Sequence, residues 1–540
     1  MKLFDLPVRD GERQTLNPAI PVVLIVLAGA SLFYPVTQFE FIDYDDQLYI
    51  LGDPSIREFS AASLKSILFE PFHMIWYPVT RLSHAIEFWL FGESSAFVHT
   101  NNVLIHLLNG WLFYLVLSVL GKKLTGREIL PMRMSICAVF LALLFVVHPQ
   151  HVEPVAWAVQ RKELLATGFA LGSVYGWLKD NHTASIFFLA LALMSKSSAV
   201  MLPVAFVLLD MVFMQQQETV WKRLLRSVWR NRYLLLLSFF SASLAFWNHD
   251  SEGAMFLSGF TATSRFSLYV HNALAGIEGF IGLQSRLFHQ PVSHHVFQIT
   301  GVTILQWSMF ALLVTLSAWL LTRESNLGRL AGAGVAFYLV ALVPVGGIMV
   351  FGNYAFGDRY LYLTSIGLYV STFSALVALG IKVQDRRQFY PAVAGMVTVC
   401  ALAMYLSSQA LPKFRSTETL WLDDFRRNPD SVMANYHLGL TYFMGGQKVL
   451  GVDHFNRAIK SKADHFRVGP REASALFVAE YSCEKGRDDQ AIAVLEQLPG
   501  FGGDLAKIEP LLESLAYLGY YQCSESISNW YELQLDLADP

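Results

Sequence analysis

Residues 131–163 read PMRMSICAVFLALLFVVHPQHVEPVAWAVQRKE, and they hold the pattern from which the rest of the chain is read. From Pro131 to His148 the stretch is an apolar run of membrane-spanning length, since about 17 to 25 residues cross ~30 Å of hydrocarbon. It then breaks into imidazoles, prolines and charges: His148-Pro149-Gln150-His151-Val152-Glu153-Pro154, followed by Arg161-Lys162-Glu163. The same alternation of apolar run and polar connection recurs from Ile20 to Ser408. It predicts about eleven spans, over residues 20–36, 97–120, 131–148, 163–178, 184–195, 198–214, 233–248, 303–321, 330–350, 363–380 and 391–408. The half-apolar stretch 265–288 is predicted to be a loop. The first span has no small-residue cleavage site and runs into Phe39-Glu40-Phe41, which predicts a retained anchor.

Composition agrees with a membrane array. The 540 residues are 54% hydrophobic and only 15% charged, where a soluble domain carries about 25%. Forty Lys and Arg stand against 43 Asp and Glu, a formal charge of −3, so no basic field exists to hold a nucleic acid. Of the four cysteines, Cys137 and Cys400 lie in apolar runs, while Cys483 and Cys523 sit in a polar region and can pair in an oxidising compartment. One set of alternate loops, with Lys2, Arg9 and Arg13 of the N-terminal segment, holds 18 Lys and Arg; the opposite loops hold nine and the tail after Ser408 holds 13. Cytoplasmic loops retain positive charge. This predicts a cytoplasmic N terminus and, with an odd number of spans, an external tail.

Two domains are expected: a membrane-embedded part over 1–408 and a polar extracytoplasmic part over 409–540. In the tail, helical spacing replaces continuous apolarity with a period near 34 residues. Leu438-Gly439, Tyr442, Gly446, Phe455 and Ala458 form one unit, Ala479, Gly486, Ala491, Leu495 and Pro499 a second, and Leu512, Gly519 and Tyr531 a degenerate third. The small and large positions match tetratricopeptide hairpins, of which about three make a stacked core.

The polar residues that call for a role fall in the outer loops. The loop 37–96 is far longer than the 2–8 residues usual between packed helices. It opens on Asp43-Tyr44-Asp45-Asp46. Adjacent Asp45 and Asp46 point differently in any backbone conformation, so one faces a reaction while the other orients or binds; a solvated acidic turn is the plainer alternative. His148, His151 and Glu153 have ligand-like spacing for a divalent metal, Mg2+ or Mn2+ being possible and none required, although a histidine near a membrane surface more often hydrogen-bonds. Arg161 and Lys162 are candidates for an anion clamp, and Lys196 and Arg359 are outer cations between apolar runs. Arg161, Lys196 and Arg359 come from three loops and are expected to converge on one phosphate.

These residues give the chain a family likeness. Tyr44-Asp45-Asp46 with Tyr49, Tyr77-Pro78-Val79-Thr80 running to His99, Asn102, His106 and Asn109, His148-Pro149 through Glu163, and Asp358-Arg359-Tyr360-Leu361-Tyr362 with Ser365-Ile366-Gly367 resemble the transmembrane and tetratricopeptide-repeat-containing O-mannosyltransferase-like proteins, their bacterial relatives above all. The likeness spans nearly the whole chain. Asp43 stands where the family commonly has Asn, Glu163 where Asp is common, and the repeats are few and drifted. The resemblance implies an all-α, type C glycosyltransferase fold with a C-terminal α-solenoid, a polyprenyl-phosphate-linked sugar as donor, and an active site at the outer membrane surface in which Asp45 or Asp46 acts on the acceptor. The retained anchor and the external tail predict a multi-pass protein of a bacterial inner membrane with its repeats in the periplasm, and an endoplasmic reticulum location has the same topology.

The residues fit that chemistry by themselves. A hydroxyl becomes a competent nucleophile when a carboxylate takes its proton, and a leaving phosphate needs its charge stabilised. Asp45 is the expected base. Arg161, Lys162, Lys196 and Arg359 are the expected phosphate ligands, and the repeats are expected to capture a protein or peptide acceptor. An outer-surface transferase acting on a lipid or glycan is the first alternative. A non-enzymatic transporter or scaffold is the second, and it predicts polar residues at mid-membrane rather than in outer loops.

Overall fold

The structure is a computed structural model that describes residues 16–538 apart from 74, 129, 215–218, 249–260, 286–298, 349–355, 383–385, 462–467, 498–508, 510, 514 and 516. The basic residues Lys2, Arg9 and Arg13, the last residues of the 330–350 span, residues 286–288 of the expected loop and Pro499 lie outside the described residues. Among the described residues no strand forms; one isolated bridge pairs Phe72 with Ile75. Contacts divide the chain into two compact units, residues 1–416 and 417–540.

In the first unit the helices are α1 (Ala19–Phe33), α2 (Ala61–Phe69), α3 (Pro78–Phe91), α4 (Ser95–Thr125), α5 (Met132–Val147), α6 (Val152–Ala156), α7 (Arg161–Leu178), α8 (His182–Ser195), α9 (Leu202–Phe213), α10 (Val220–Arg230), α11 (Arg232–Asn248), α12 (Ala262–Gly282), α13 (Gly301–Leu321), α14 (Asn326–Leu342), α15 (Leu361–Thr364), α16 (Ile366–Lys382) and α17 (Arg386–Ala410). Four stretches are long and apolar enough to cross a membrane: Ala19–Gln38, Ser95–Thr125, Gly301–Leu321 and Arg387–Phe414. Two more qualify as pairs bent by 51°, α5 with residues 149–156 and residues 358–364 with α16. The other expected spans are helical but either shorter, as in α8, α9 and α14, or charged at one end, as in α7 with Arg161, Lys162 and Glu163. Among the described residues, four helices, or six if each bent pair is one span, have spanning length and apolarity by themselves.

The expected loop at 265–288 is instead α12, a 21-residue helix. Thr261 caps it through the Ser264 amide at 3.1 Å. Its polar residues depress the average hydropathy yet are satisfied by neighbours: Asn272 Nδ2 donates to the Gly346 carbonyl at 2.8 Å and Tyr269 to that of Leu339 at 2.6 Å, while the Tyr338 hydroxyl returns a bond to the Ala273 carbonyl at 2.7 Å.

The second unit is a succession of helices, α18 (Thr417–Arg427), α19 (Val432–Met444), α20 (Lys448–Lys460), α21 (Val468–Glu484), α22 (Asp488–Leu495) and α23 (Tyr521–Ala538), each packed on the next along a core that includes Phe443, Phe455, Ala479, Leu495, Ile527 and Tyr531. Gly439 lies so near Phe455 that a Cβ would stand 2.5 Å from its ring. Gly446, Gly486 and Gly519 close three turns with φ of 83°, 65° and 86°, a region that costs other residues strain. Cys483 and Cys523 form a disulfide between α21 and α23.

Candidate active site

Both bent pairs place their break at the polar residues singled out above. At the first break α5 ends at Val147, leaving carbonyls without helical partners, and His151 Nδ1 meets that of Phe145 at 2.6 Å. The other ring nitrogen of His151 lies 3.3 Å from Ser365 Oγ, at the second break. His148 accepts the Gln150 amide at Nδ1 (3.2 Å) and lies 3.1 Å from the Phe280 carbonyl at Nε2. Glu153 accepts the amide of Asp358 at 3.1 Å and forms an ion pair of 2.5 Å with Arg359. All ring nitrogens and both carboxylate oxygens of the expected metal trio are thus engaged, His151 and Glu153 joining the two breaks and His148 tying the first to α12, and among the described residues no group of three or more His, Cys, Asp and Glu is arranged to hold a metal. These side chains do not fit a divalent cation. Gly357 lets the Arg359 guanidinium fold back beside the chain, since a Cβ there would lie 2.5 Å from Nη1.

The three carboxylates of the first loop go three ways. Asp43 is exposed. Asp46 is fully buried and accepts the amides of Ile42 at 2.9 Å and Val159 at 2.8 Å, pinning the first loop to the residues that precede α7. Burial pushes its carboxyl up to about 7 against the pull of those two amides. Asp45 is half-buried and takes no hydrogen bond among the described residues. Burial raises its carboxyl above the ordinary value, the charges of Lys162 and Arg359 draw it back, and Glu153 adds to the rise.

Beside Asp45 stand Lys162 and Arg359, and Lys196 lies near those two cations. Lys162 Nζ lies 5.1 Å over the Tyr49 ring and forms no ion pair among the described residues. Lys196 pairs with Glu163 and lies 5.2 Å over Tyr360, and its charge is felt together with those of Lys162, Arg359 and Glu153. Tyr49 meets the edges of His73 and Tyr77 at 5.7 and 6.4 Å, forming an aromatic wall.

Arg161 does not join this cluster, contrary to the expectation of a three-loop phosphate clamp. It is 1% exposed, and its three nitrogens donate to Asn102 Oδ1 (2.8 Å), Glu87 Oε2 (2.6 Å) and the Val98 carbonyl (2.8 Å). Glu87 is a residue that sequence reasoning missed; it also accepts from Asn101 at 2.6 Å and lies 3.7 Å from His84. Arg81, missed as well, orders the long first loop by binding Asp53 (2.8 Å), Ser55 (2.6 Å) and the carbonyls of Ser66 and Glu70 (3.1 and 2.8 Å). The asparagines and histidines of α4 act as braces: Asn102 donates to the Ala158 carbonyl (3.1 Å), Asn109 to that of Leu164 (2.8 Å), and His106 bonds the Tyr362 hydroxyl at 2.6 Å.

Fold and site together define a helical, apolar membrane-type protein in which an open carboxylate of the first long loop stands beside two cations, one of them Arg359 from the second bent pair. No protein-family model matches the chain. It is 23% identical over 466 residues to the human protein O-mannosyl-transferase TMTC4, a match covering 75% of this chain and 60% of that protein. To the protein O-mannosyl-transferase Tmtc1 of Drosophila melanogaster it is 31% identical over 131 residues, covering 22% of this chain and 14% of the relative. The chain spans less than two thirds of the length of either relative, and the similarity is distant.

Proposed function

We propose that this protein is an integral membrane glycosyltransferase that moves a sugar from a polyprenyl-phosphate-linked donor to a hydroxyl of a protein acceptor at the extracytoplasmic face of a bacterial inner membrane. The observation that carries the reading is Asp45, a half-buried carboxylate beside Lys162 and Arg359 that takes no hydrogen bond among the described residues. The distant similarity to two proteins named protein O-mannosyl-transferases supports a hexosyl transfer to protein.

In this reading Asp45 accepts the proton of the acceptor hydroxyl as its oxygen attacks the anomeric carbon. The bond from that carbon to the phosphate oxygen breaks on the opposite side, and polyprenyl phosphate departs with the electron pair. In-line attack inverts the anomeric centre. Lys162, the cation without a carboxylate partner, meets the phosphate, with Arg359 and Lys196 adding charge from positions fixed by Glu153 and Glu163. Asp46 and Arg161 position the loops, and no step passes through a metal. The second unit, read as a tetratricopeptide-like solenoid, presents the acceptor; the Lys and Arg count, taken with an odd number of spans such as the eleven expected, supports a cytoplasmic N terminus and a periplasmic second unit.

The test is transfer of radiolabelled hexose from polyprenyl-phosphate donors to an extracytoplasmic protein extract by the wild type and Asp45→Asn. Label should enter protein only with the wild type, both proteins melting alike. Undiminished transfer by Asp45→Asn would sink the assignment of the base, and label appearing in lipid would point to the lipid- or glycan-modifying alternative.

A further inference from the structure

A second charged cluster lies at the other end of α4. The helix meets Arg161 at Val98 and Asn102 and reaches Lys123 some 21 residues later, about 30 Å away at 1.5 Å per residue, which matches the thickness of a hydrocarbon core. There Lys123 Nζ lies 3.5 Å from Asp180, and Arg230 of α10 lies 3.7 Å from the same carboxylate.

α10 reads VWKRLLRSVWR and packs on α9 through polar contacts. Ser227 donates to the Val207 carbonyl at 3.2 Å, and Asp210 receives Ser227 (3.0 Å), Arg230 (2.9 Å) and Asn231 (2.8 Å). One turn before Ser227, Arg223 is only 5% exposed, and its Nε and Nη1 have no hydrogen-bond partner among the described residues. Arg329, in the first turn of α14, is 3% exposed and donates to neutral groups: the carbonyls of Val212 (3.0 Å) and Arg323 (3.3 Å) and the side chain of Asn326. Arg329 and α10 pack on the same helix, Arg329 at Val212 and α10 at Val207 and Asp210, which brings the charge of Arg223 to bear on Arg329. Among the described residues neither of these buried guanidiniums pairs with a carboxylate, an arrangement that is unfavourable unless an anion completes it.

The surroundings specify the anion. Trp221, Leu225 and Trp229, four residues apart along α10, are 67%, 53% and 70% exposed, and Trp319 is 51% exposed with Arg323 stacked 4.6 Å above it. Exposed tryptophans beside basic residues mark the headgroup level of a bilayer, and a helix with this pattern lies in the interface. Leu330, next to Arg329, lines an apolar cavity with Leu208, Leu209, Ala333 and Phe337, so the surroundings of the two guanidiniums are apolar. We propose that Arg223 and Arg329 form a binding site for the phosphate of an anionic phospholipid headgroup, with α10 lying in the membrane interface. The inference is independent of the transferase reading, because the site lies at the opposite end of α4 from Asp45.

The experiment is native mass spectrometry of the detergent-purified full chain with phosphatidylglycerol, phosphatidylcholine of the same acyl chains, or inorganic phosphate. The wild type should retain phosphatidylglycerol preferentially. Arg223→Gln and Arg329→Gln should each lower that retention about tenfold, the loss expected for one charge-assisted contact, while Arg223→Lys and the solvent-facing Lys222→Gln largely keep it. Equal retention of both lipids by the wild type, or unchanged retention in Arg223→Gln and Arg329→Gln, overturns the proposal. Displacement of the lipid by inorganic phosphate overturns the assignment to a headgroup. In phosphatidylcholine alone Arg223→Gln should melt no lower than the wild type; a lower melt would mean that Arg223 is paired within the protein, and would also overturn it.

Discussion

Replacing Arg161 by Met separates a brace from a ligand. The substitution removes hydrogen bonds to Asn102, Glu87 and the Val98 carbonyl and strands Glu87, 3% exposed, with Asn101 and His84 as its remaining neighbours. Burial works against the Glu87 charge, yet His84 and Arg161 outweigh it and hold the carboxyl down at about 2 instead of 4.5. At 1.36 kcal/mol per pKa unit that difference is about 3 kcal/mol, in line with the roughly 3–5 kcal/mol lost when one member of a buried pair is removed. Arg161→Met should therefore destabilise the first unit by about 3–5 kcal/mol, read as a fall in the urea midpoint of the purified protein in nanodiscs. A depressed carboxylate contributes stability that is present above its unfolded value and lost as pH falls through the folded one, so the deficit should be full at neutral pH and shrink from pH 4.5 towards 2. Adding Glu87→Gln should restore part of the loss, with a coupling of about 1 kcal/mol or more. Wild-type stability combined with a raised KM for the donor would refute the reasoning and return Arg161 to the phosphate.

Lys162→Gln should show the reverse pattern, leaving the melting temperature unchanged while lowering transfer by about 10²-fold or more, the loss usual for one preorganised stabilising group; normal kcat and KM would exclude Lys162 as a ligand. Since Asp45 works as a carboxylate and burial raises its pKa, transfer should be full at high pH and fall on acidification with a midpoint above the ordinary 3.8; an acid limb at or below that value in the pH-rate profile would contradict this environment. Because His148, His151 and Glu153 are engaged with backbone, Ser365 and Arg359, chelator should leave the transfer rate unaltered, and loss restored by Mn2+ would contradict the geometry.

Helix positions were largely legible because apolar runs carry their own signal: each of the eleven expected segments falls on a helix. Span number was less so, since bends at residues 148 and 365 and the short α8, α9 and α14 depend on packing that a hydropathy window averages away. α12 escaped notice because Asn272 and Tyr269 count as polar until their partners on other segments are known. In the site, spacing showed that Asp45 and Asp46 differ but not which one is pinned, because the Val159 amide that decides it lies 113 positions away. Arg161 and Lys162 are adjacent, and neighbouring residues on a helix point about 100° apart; which one meets a carboxylate depended on Glu87, 74 positions earlier. The histidine spacing resembled a metal site because a chain break and a ligand loop call for the same residue types, and here carbonyls at the breaks claimed the imidazoles first.

The bond between Cys483 and Cys523 closes a loop of 40 residues, for which chain entropy gives about 4 kcal/mol of stabilisation, comparable to the whole margin of many small domains. Attachment of α23 is therefore governed by the redox potential of the medium. Made and kept in a reducing environment, the second unit would hold its last helix only by side-chain contacts such as Ile527 and Tyr531 in the core and Trp530 on Glu496. Oxidation would then act as its final folding step, and thiol labelling during biosynthesis would time the moment at which α23 is fastened.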